Sequence, residues 1–367
     1  MTITISKTAL QTKLQSISKV IPSKTSIPQL GYFLFEAEKN ELTITGANEA
    51  GRVETIADCI SDGNIKILVP ISILDCLKNI PEQPIDIIVS GEMEMSIRYH
   101  GGKFNITLTS PDNYPKGKKV EEKSSLILTS KELCEGINKV IDFAANDDLR
   151  PTISSIYIDR NKKGISFVAT NAHSMGIILD SEKQGDIIDV IISRQIAYLI
   201  KSILQPSDED VAFYFGEEWT ELLTKDFKIQ FRNIEGKYPN YLSVVPTNNN
   251  IEVKVKTSEL LSAIKRTYII SSKSYGLIEM NIAKDNIILK SKDIDFSSSA
   301  EESVSAESNQ SIKIGVKGDS MIDILENIDC EYTLMTFSEP SKAILISPET
   351  QDNKKLTYLL MPLTINA

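Results

Sequence analysis

Apolar residues recur every three or four positions in three separate stretches of the chain, each preceded by a serine or a threonine. This spacing is typical of an amphipathic helix with one buried face, and the preceding hydroxyl can cap its first turn. The pattern predicts helices within residues 6–20, 130–144 and 256–270. The positions expected on their buried faces are Leu10, Leu14 and Ile17, then Leu133, Ile137 and Val140, then Leu260 and Ile264.

The same signals return along the chain at a spacing of about 123 residues. Leu42 is followed six residues later by Asn48, and Ile165 is followed in the same way by Asn171. A fainter third copy contains the helical pattern SMIDILENI. Long-range self-similarity of this kind predicts tandem copies of one structural unit. Further repeated positions are Ile73, Leu77 and Ile80 with Ile196, Ile200 and Ile203; Phe104, Ile106 and Tyr114-Pro115 with Phe227, Ile229 and Tyr238-Pro239; and Pro239 with Pro362.

Each unit reads in the same order: a helix, alternating strands joined by a polar turn, a second helix and more strands. Polar turns at 38–40 and 161–164 join strands that are close in sequence, which favours antiparallel pairing. The predicted fold class is therefore α+β, with two helices packed on antiparallel sheet in each of three domains, 1–122, 123–246 and 247–367. Polar linkers are expected at 116–125 and 246–251.

Composition and charge narrow the class of protein. The chain of 367 residues is 41% hydrophobic and 25% charged, which is typical of a globular protein. Its net charge of −10 excludes a bulk polycation but not a local nucleic-acid surface. Four dispersed cysteines and two histidines make a metal cluster improbable and predict buried thiols in a reducing compartment. Neither a signal peptide nor a membrane span is apparent, so we expect a cytoplasmic protein that needs no cofactor.

The repeat has a consequence for assembly. Three units joined edge to edge form an arc whose two ends still expose unpaired strands. A second copy joined head to tail satisfies both ends and predicts a ring of six domains in a dimer. If twelve helices line the hole at about 9–10 Å spacing, its diameter is about 35 Å, wide enough for a nucleic-acid duplex.

Basic residues on the predicted helices test this idea. The first helix carries Lys7, Lys13 and Lys19, and the helix containing Ile196 carries Arg194 and Lys201. We expect these side chains to face duplex DNA. The alternative is that each is an ordinary solvated surface charge. The lining is uneven, because the last predicted helix carries Asp319, Asp323 and Glu326.

Three motifs, in order and at repeat-consistent spacing, carry a family resemblance: VATNAHSMG (168–176), GKYPNYLSVVP (236–246) and the terminal MPL (361–363). With these motifs the whole chain resembles the bacterial DNA polymerase III β subunit family, the sliding clamps. The resemblance implies three clamp domains and a homodimeric ring around double-stranded DNA, without sequence preference. It also implies a non-catalytic processivity factor that tethers the replicative polymerase, the clamp loader and repair proteins.

The resemblance further implies a groove that takes short peptides containing Gln and Leu or Phe. Apolar and thioether side chains suit such a groove, because they adapt to varied anchors. Ser174, Ser243 and Thr364 stand where family members often carry arginine, so the polar part of recognition is expected to differ. The positions carried over are Ile153, Thr170, Ala172, His173, Met175, Pro239, Val244, Leu359, Met361, Pro362 and Leu363.

The resemblance also places the dimer contact and two loop cations. Phe104 and Ile106 are expected on an edge strand that meets Ile269 and Ile270 of the partner subunit; the alternative is that they are core residues. Lys24 and Arg150 occupy positions where the family has basic loop residues facing the hole, and the alternative is that they are surface charges.

The sequence also bears on two other classes of function. His173 could act as a general base, but no nucleophile or carboxylate accompanies it in a recognisable motif, and Gly318 precedes a helix without a phosphate loop. An enzyme is therefore the least favoured class. A clamp-like adaptor that binds peptides but does not hold DNA remains the alternative, because of the acidic last helix and the missing arginines.

Overall fold

The computed structural model describes residues 1–91, 93–147, 149–272, 275–293 and 297–365, and its elements follow one another in three similar series. The first series is β1 (Thr2–Ser6), α1 (Lys7–Ser18), a 3₁₀ helix (Pro28–Gly31), β2 (Tyr32–Glu38), β3 (Glu41–Ala47), β4 (Gly51–Asp58), β5 (Ile60–Ser61), β6 (Ile65–Pro70), α2 (Ile73–Lys78), β7 (Pro84–Ser90), β8 (Glu94–Tyr99) and β9 (Gly102–Thr107).

The second series is β10 (Ser124–Thr129), α3 (Ser130–Val140), a 3₁₀ helix (Ile141–Phe143), β11 (Ser155–Asn161), β12 (Gly164–Thr170), β13 (Ser174–Asp180), β14 (Ile188–Ser193), α4 (Arg194–Ile203), β15 (Asp210–Phe215), β16 (Trp219–Leu223), β17 (Phe227–Arg232) and a 3₁₀ helix (Tyr241–Val244). The third is β18 (Ile251–Lys256), α5 (Thr257–Ile269), β19 (Leu277–Ile282), β20 (Asn286–Asp293), β21 (Ser298–Ser308), β22 (Ile312–Lys317), α6 (Gly318–Glu326), β23 (Tyr332–Phe337), β24 (Ile344–Pro348) and β25 (Lys354–Leu360).

The predicted helices form, and their apolar faces are buried. Leu10, Leu14 and Ile17 have no exposed surface, and the same holds for the three predicted core positions of α3. The Ser6 hydroxyl caps α1 by accepting from the amide of Ala9 at 3.2 Å. Thr129 and Glu132 form a reciprocal capping box at the start of α3, with bonds of 2.8 and 3.2 Å. These parts of the prediction are confirmed.

The predicted cap of the third helix is wrong. Thr257 lies inside α5 as its first residue, and the N-cap is Lys256, whose side chain makes no capping bond. The Thr257 hydroxyl is instead buried against the hydroxyl of Thr333, 2.8 Å away. The Thr257 hydroxyl is therefore hydrogen-bonded in the core, and the same bond satisfies the buried Thr333 hydroxyl.

The predicted order of elements also needs a correction, because each series opens with a strand before its first helix. These strands, β1, β10 and β18, are only five or six residues long. The alternation of apolar and polar residues in each strand is short and lies directly before a longer helical pattern, so the helix is the stronger signal in the sequence.

The described residues pack into two compact units. The first contains residues 1–134 and 195–233, and the second contains 135–194 together with the described residues from 234 onward. The boundaries predicted at 122/123 and 246/247 fall in segments without helix or strand. The division into three domains remains a prediction.

The first unit contains a five-stranded and an eight-stranded sheet. The five-stranded sheet has the order β5-β1-β7-β8-β9. The eight-stranded sheet has the order β10-β15-β16-β17-β4-β3-β2-β6, and its halves join where β17 pairs antiparallel with β4. Helix α1 packs on α2, β3 and β4. Every pairing in these sheets is antiparallel, as predicted.

The second unit contains one run of twelve strands, β14-β11-β12-β13-β25-β24-β23-β18-β21-β20-β19-β22. Its two parts join where β13 pairs antiparallel with β25 over seven residue pairs. The β25–β13 junction therefore has the same construction as the β17–β4 junction of the first unit.

The four cysteines are free thiols. Cys59 and Cys134 are buried, as predicted, whereas Cys76 and Cys330 are partly exposed, so the expectation of four buried thiols is wrong for these two. Burial raises the pKa of the Cys59 and Cys134 thiols. Within the described ranges, no cluster of three or more histidine, cysteine or acidic side chains is arranged to hold a metal ion, and no helix is both long and apolar enough to span a membrane.

Candidate peptide groove and edge strands

The floor of the candidate groove is the junction of β13 and β25. Met175 lies directly opposite Leu359 in the antiparallel register, and the two side chains are only 2% and 4% exposed. They pack in an apolar cluster with Val168, Tyr238 and Tyr241. The groove therefore has a packed apolar base that is shared between two distant parts of the chain.

A tight turn between β12 and β13 forms one wall. The Asn171 side-chain oxygen accepts hydrogen bonds from the amides of His173 (2.9 Å) and Ser174 (2.8 Å). Ala172 adopts a φ of 73° at the tip, a conformation that is strained for a residue with a β carbon. The bonds to Asn171 hold this turn in place and leave Ala172 and His173 exposed.

The Tyr-Pro segment packs on the same apolar cluster through Tyr238 and Tyr241. The Tyr238 ring stacks on Tyr157 with a centroid distance of 4.6 Å and an interplanar angle of 5°. The Tyr241 hydroxyl donates to Asp159 at 2.9 Å, and burial raises the pKa of Tyr241 to about 12. These two anchored rings hold the 3₁₀ helix in which Leu242 and Val244 are 56% and 58% exposed.

The segment after β25 completes the site. The Met361 amide donates to the His173 carbonyl at 2.8 Å, and the Leu363 amide donates to the Gly315 carbonyl at 2.8 Å. Met361 is 41% exposed, so its thioether is available to a ligand. A pocket of about 420 Å³ adjoins this segment between Pro340 and Pro362.

The eleven groove residues implied by the family resemblance differ in their solvent exposure. Ile153, Met175 and Leu359 are buried, so they can form a base but not an open wall. Thr170, Pro362 and Leu363 are half-buried, and the exposed members are Ala172, His173, Pro239, Val244 and Met361. The elements that carry ten of these positions, all except Ile153, contact one another through the strand pairing, the apolar cluster and the backbone bonds described above. Their role in binding remains a prediction.

Leu242 is an exposed apolar side chain that the sequence analysis did not select. It lies two residues from Val244 in the same 3₁₀ helix. The sequence does contain a signal for an apolar surface here, because Leu242, Val244 and Val245 place three apolar residues close together in a turn-rich motif.

The three positions that lack the family's arginine do not share one environment. Ser174 is buried, and its hydroxyl lies 3.2 Å from the Asn171 side-chain oxygen. Ser243 is exposed and donates to the Asn240 carbonyl at 2.7 Å, and Thr364 is exposed. None of them carries a charge toward the groove.

The cations proposed to face DNA are unequally available. Lys7 is only 9% exposed, so its placement does not favour contact with a phosphate. Lys13 pairs with Asp226 at 2.7 Å, and Lys19 donates to the Ser202 carbonyl. Arg194 is half-buried. Lys24, Lys201 and Arg150 are exposed, and Arg150 pairs with Asp147 at 2.7 Å.

The dimer candidates lie on exposed parts of the fold. Strand β9, at the edge of the five-stranded sheet, carries Phe104 and Ile106, both half-buried. Phe104 stacks on Tyr99 with a centroid distance of 5.5 Å. Ile269, at the end of α5, is 78% exposed, and Ile270 is half-buried. In β21, Ser298–Ser305 pairs with β20, and only Ala306–Ser308 pairs with β18 on the other side.

Comparison with known proteins shows that three consecutive regions of the chain match domains of the same family. Residues 1–118, 127–240 and 242–364 match the N-terminal, central and C-terminal domains of the DNA polymerase III β subunit, in that order. The beta sliding clamp of Vibrio cholerae is 21% identical and covers 100% of both chains. That of Pseudomonas aeruginosa is 23% identical and covers 99% of both.

Solved structures have the same fold. A Pseudomonas aeruginosa DnaN sliding clamp bound to griselimycin superposes with a TM-score of 0.93 at 22% identity, and a Thermotoga maritima DNA polymerase III β subunit superposes with 0.92 at 21% identity. Each covers 100% of both chains. The α+β clamp fold that the sequence predicts is thereby confirmed.

Proposed function

Because this chain belongs to the DNA polymerase III β subunit family, we propose that it is a DNA sliding clamp, a non-catalytic ring that encircles duplex DNA and confers processivity on a polymerase. The observation that carries the proposal is that all three domains of the family match this chain in order. The strand pairings agree with it: β17 of the second matched region pairs with β4 of the first, and β25 of the third pairs with β13 of the second.

Two strand edges support the proposal of a head-to-tail dimer. Strand β9 and the first half of β21 each offer a row of backbone groups to a second copy, and unpaired edges favour pairing. Lys103 is exposed on β9, whereas Glu301 and Glu302 on β21 already pair with Lys290 and Arg266, so the contact would rest on backbone and apolar groups. Phe104, Ile106, Ile269 and Ile270 would contribute apolar area at the same contact. Three domains from each copy then close a ring of six.

Contact with DNA would be made through the phosphates. Exposed Lys19, Lys24 and Lys201 are the predicted cations best placed for it, since a side chain must reach solvent to meet a phosphate. Arg150 is exposed as well, but it is paired with Asp147. Such contacts do not read sequence, and they weaken as salt concentration rises. A few weak contacts suit a protein that must move along the duplex.

The groove in the second unit would tether partner proteins. Its base of Met175 and Leu359 is apolar, and Leu242, Val244 and Met361 supply exposed apolar side chains around it. A short peptide with Leu or Phe anchors can bury those anchors there, and Gln can bond to exposed backbone. The replicative polymerase, the clamp loader and repair proteins are the proposed carriers of such peptides.

The test is retention on circular against linear duplex DNA. After loading by a bacterial clamp loader with ATP, the protein should co-elute with nicked plasmid and not with the linearised plasmid. Sedimentation equilibrium should give a mass of two 40.8 kDa chains. A monomer that binds peptides but does not stay on the circle would instead support the adaptor alternative, which the engaged lysines Lys13 and Lys19 favour.

A further inference from the structure

A second pocket lies in the first unit, at the repeat equivalent of the candidate groove. It encloses about 280 Å³ beside the β17–β4 junction. Ala47 and Gly51 line it from the β3–β4 turn, and Pro115 lines it from the segment after β9. These positions correspond to Thr170, Ser174 and Pro239 in the groove.

The two sites share their turn geometry in detail. The Asn48 side-chain oxygen accepts from the amides of Ala50 and Gly51, both at 2.8 Å. Asn171 makes the equivalent pair of bonds in the groove. Tyr114 also corresponds to Tyr238, since both are buried in an apolar cluster beneath their site. The pocket is therefore a built counterpart of the groove and not a gap between side chains.

The floor differs in its chemistry. Arg52 and Gln230 face each other across the strand pair, where the groove has Met175 and Leu359. The Arg52 guanidinium is 12% exposed and bonds to Glu54 (2.6 Å), to the Pro115 carbonyl (2.8 Å) and to the Thr45 hydroxyl (3.3 Å). A guanidinium has five N–H donors, so these acceptors leave donors for a ligand.

The linker wall is fixed and positively charged. The Gln230 amide donates to the Lys118 carbonyl at 2.8 Å and accepts from the Lys118 amide at 3.2 Å, which holds the backbone of 116–118 along the pocket. Lys116 and Lys118 are exposed at the rim. The acid in the lining is Glu49, which is exposed. Glu54 already pairs with Arg52 at 2.6 Å, and Glu221 accepts from the Gln230 amide at 2.6 Å, so the positive charge offered to a ligand comes from the two rim lysines, Lys116 and Lys118.

An apolar wall completes it. Ile27 is 38% exposed and Trp219 is half-buried, and both line the pocket. An aromatic or aliphatic side chain can pack against these two, while carboxylates on either side of it can meet Arg52, Lys116 and Lys118.

We propose that the pocket of the first unit is a second peptide-binding site, which takes an acidic segment of a partner protein that carries an adjacent Leu and Phe as its apolar anchor. The polar floor separates its ligands from those of the apolar groove. One chain would then hold two partner segments of different chemistry at the same time.

Trp219 makes the test direct, because it is the single tryptophan of the chain and it lines the pocket. Its fluorescence is followed while the intact protein is titrated with acetyl-Glu-Asp-Leu-Phe-Asp-amide, which contains no Trp or Tyr. We expect a saturable change. Two matched peptides should bind at least about tenfold more weakly. The peptide acetyl-Lys-Lys-Leu-Phe-Lys-amide lacks the carboxylates, and acetyl-Glu-Asp-Ser-Ser-Asp-amide lacks the apolar anchor.

Matched variants localise the binding. Lys116→Glu with Lys118→Glu reverses two exposed rim charges without touching the core and should raise Kd by about tenfold or more. Lys119→Glu, exposed next to them but outside the lining, should change Kd by less than about threefold, since its charge is partly screened. Met361→Ala, in the groove, should leave this titration unchanged, which separates the result from the fate of the groove.

The proposal is overturned by any of three results. These are a fluorescence signal that stays flat to millimolar peptide, equal binding of the basic peptide, or a loss from Lys119→Glu as large as that from the double variant.

Discussion

The backbone amide of Met361 donates a hydrogen bond of 2.8 Å to the carbonyl oxygen of His173. This bond fixes the C-terminal segment against the turn that Asn171 organises. The Leu363 amide then bonds to the carbonyl of Gly315 on β22, so the segment is pinned on both sides of Pro362. The backbone that carries the exposed Met361 side chain is therefore fixed at the candidate groove.

Gly315 is required where this segment passes. A β carbon there would lie 2.6 Å from the Leu363 carbonyl oxygen, which is too close without movement of the backbone. Gly315→Ala should destabilise the protein by about 1–3 kcal/mol through overpacking. It should also raise the Kd of a Gln/Leu/Phe peptide by about tenfold, because the wall shifts. Thermal unfolding and fluorescence polarisation measure the two effects.

Gly31→Ala is the matched control, since nothing lies within 4 Å of a β carbon at Gly31. It should change neither quantity appreciably. Wild-type peptide affinity in Gly315→Ala would show that the pinned segment does not form the groove.

Asn171 organises the turn beside the groove. Asn171→Ala removes the acceptor for two backbone amides and should cost about 1–3 kcal/mol of stability. It should also weaken peptide binding, because Ala172 keeps its strained φ only while the turn is held. Asn171→Asp keeps an acceptor in place and should retain most of the affinity. Chemical unfolding and a peptide titration give both numbers.

Asn48→Ala makes the equivalent change in the first unit, where Asn48 accepts from two amides. We expect a similar loss of stability with unchanged binding to the groove. If Asn48→Ala weakened groove binding as much as Asn171→Ala, the effect would be global and the assignment of the turn to the groove would fail.

Buried tyrosines make stability fall in alkali. Burial raises the pKa of Tyr241 to about 12, above the value of about 10 in an unfolded chain. Below pH 10 the phenol is neutral in both states, so its contribution is fully present. Between about pH 10 and 12 only the unfolded state releases the proton, which removes up to about 1.4 kcal/mol per pH unit.

Tyr241→Phe isolates this effect. It removes the 2.9 Å bond to Asp159 and should cost about 1 kcal/mol near neutral pH. Urea unfolding at a series of pH values should show the wild type and the variant converging above about pH 10, because only the wild type loses stability through this phenol. A difference that stays constant up to about pH 11.5 would contradict the assigned burial effect.

The proposed dimer contact is tested by Ile269→Asp. Ile269 is 78% exposed, so the change should leave the fold of the chain intact. A charge in an apolar contact between copies should shift the monomer–dimer equilibrium by at least about tenfold toward monomer. Sedimentation velocity reads this directly. Ile187→Asp, at an equally exposed isoleucine (81%), should leave the dimer unchanged. Equal dissociation of both variants, or of neither, would count against the contact.

Local periodicity was enough to predict the helices. Leu10, Leu14 and Ile17 are fully buried, because a spacing of three and four residues determines which face of a helix meets the sheet. Asn48 and Asn171 were paired by the repeat alone, and both prove to organise the same turn. Where the repeat is strong, sequence predicted structure well.

Long-range contacts account for what was missed. The burial of Lys7 and the engagement of Lys13 by Asp226 depend on residues far away in sequence, as does the bond between Leu363 and Gly315. From the helical pattern alone, all three lysines of α1 are expected to face DNA, with a solvated surface charge as the alternative. The exposed Leu242 and the polar floor of Arg52 and Gln230 likewise became visible only once strands from distant parts of the chain were paired.

A single restriction cut tests whether the proposed ring holds DNA topologically. The protein is loaded on a nicked circular plasmid and freed of unbound chains, and the plasmid is then cut at one site. We expect the protein to stay on the circle and to leave after the cut. In a parallel sample whose cut ends are blocked by bound streptavidin, we expect it to be retained. Loss at the same rate before and after the cut, or retention on open linear DNA, would contradict topological holding.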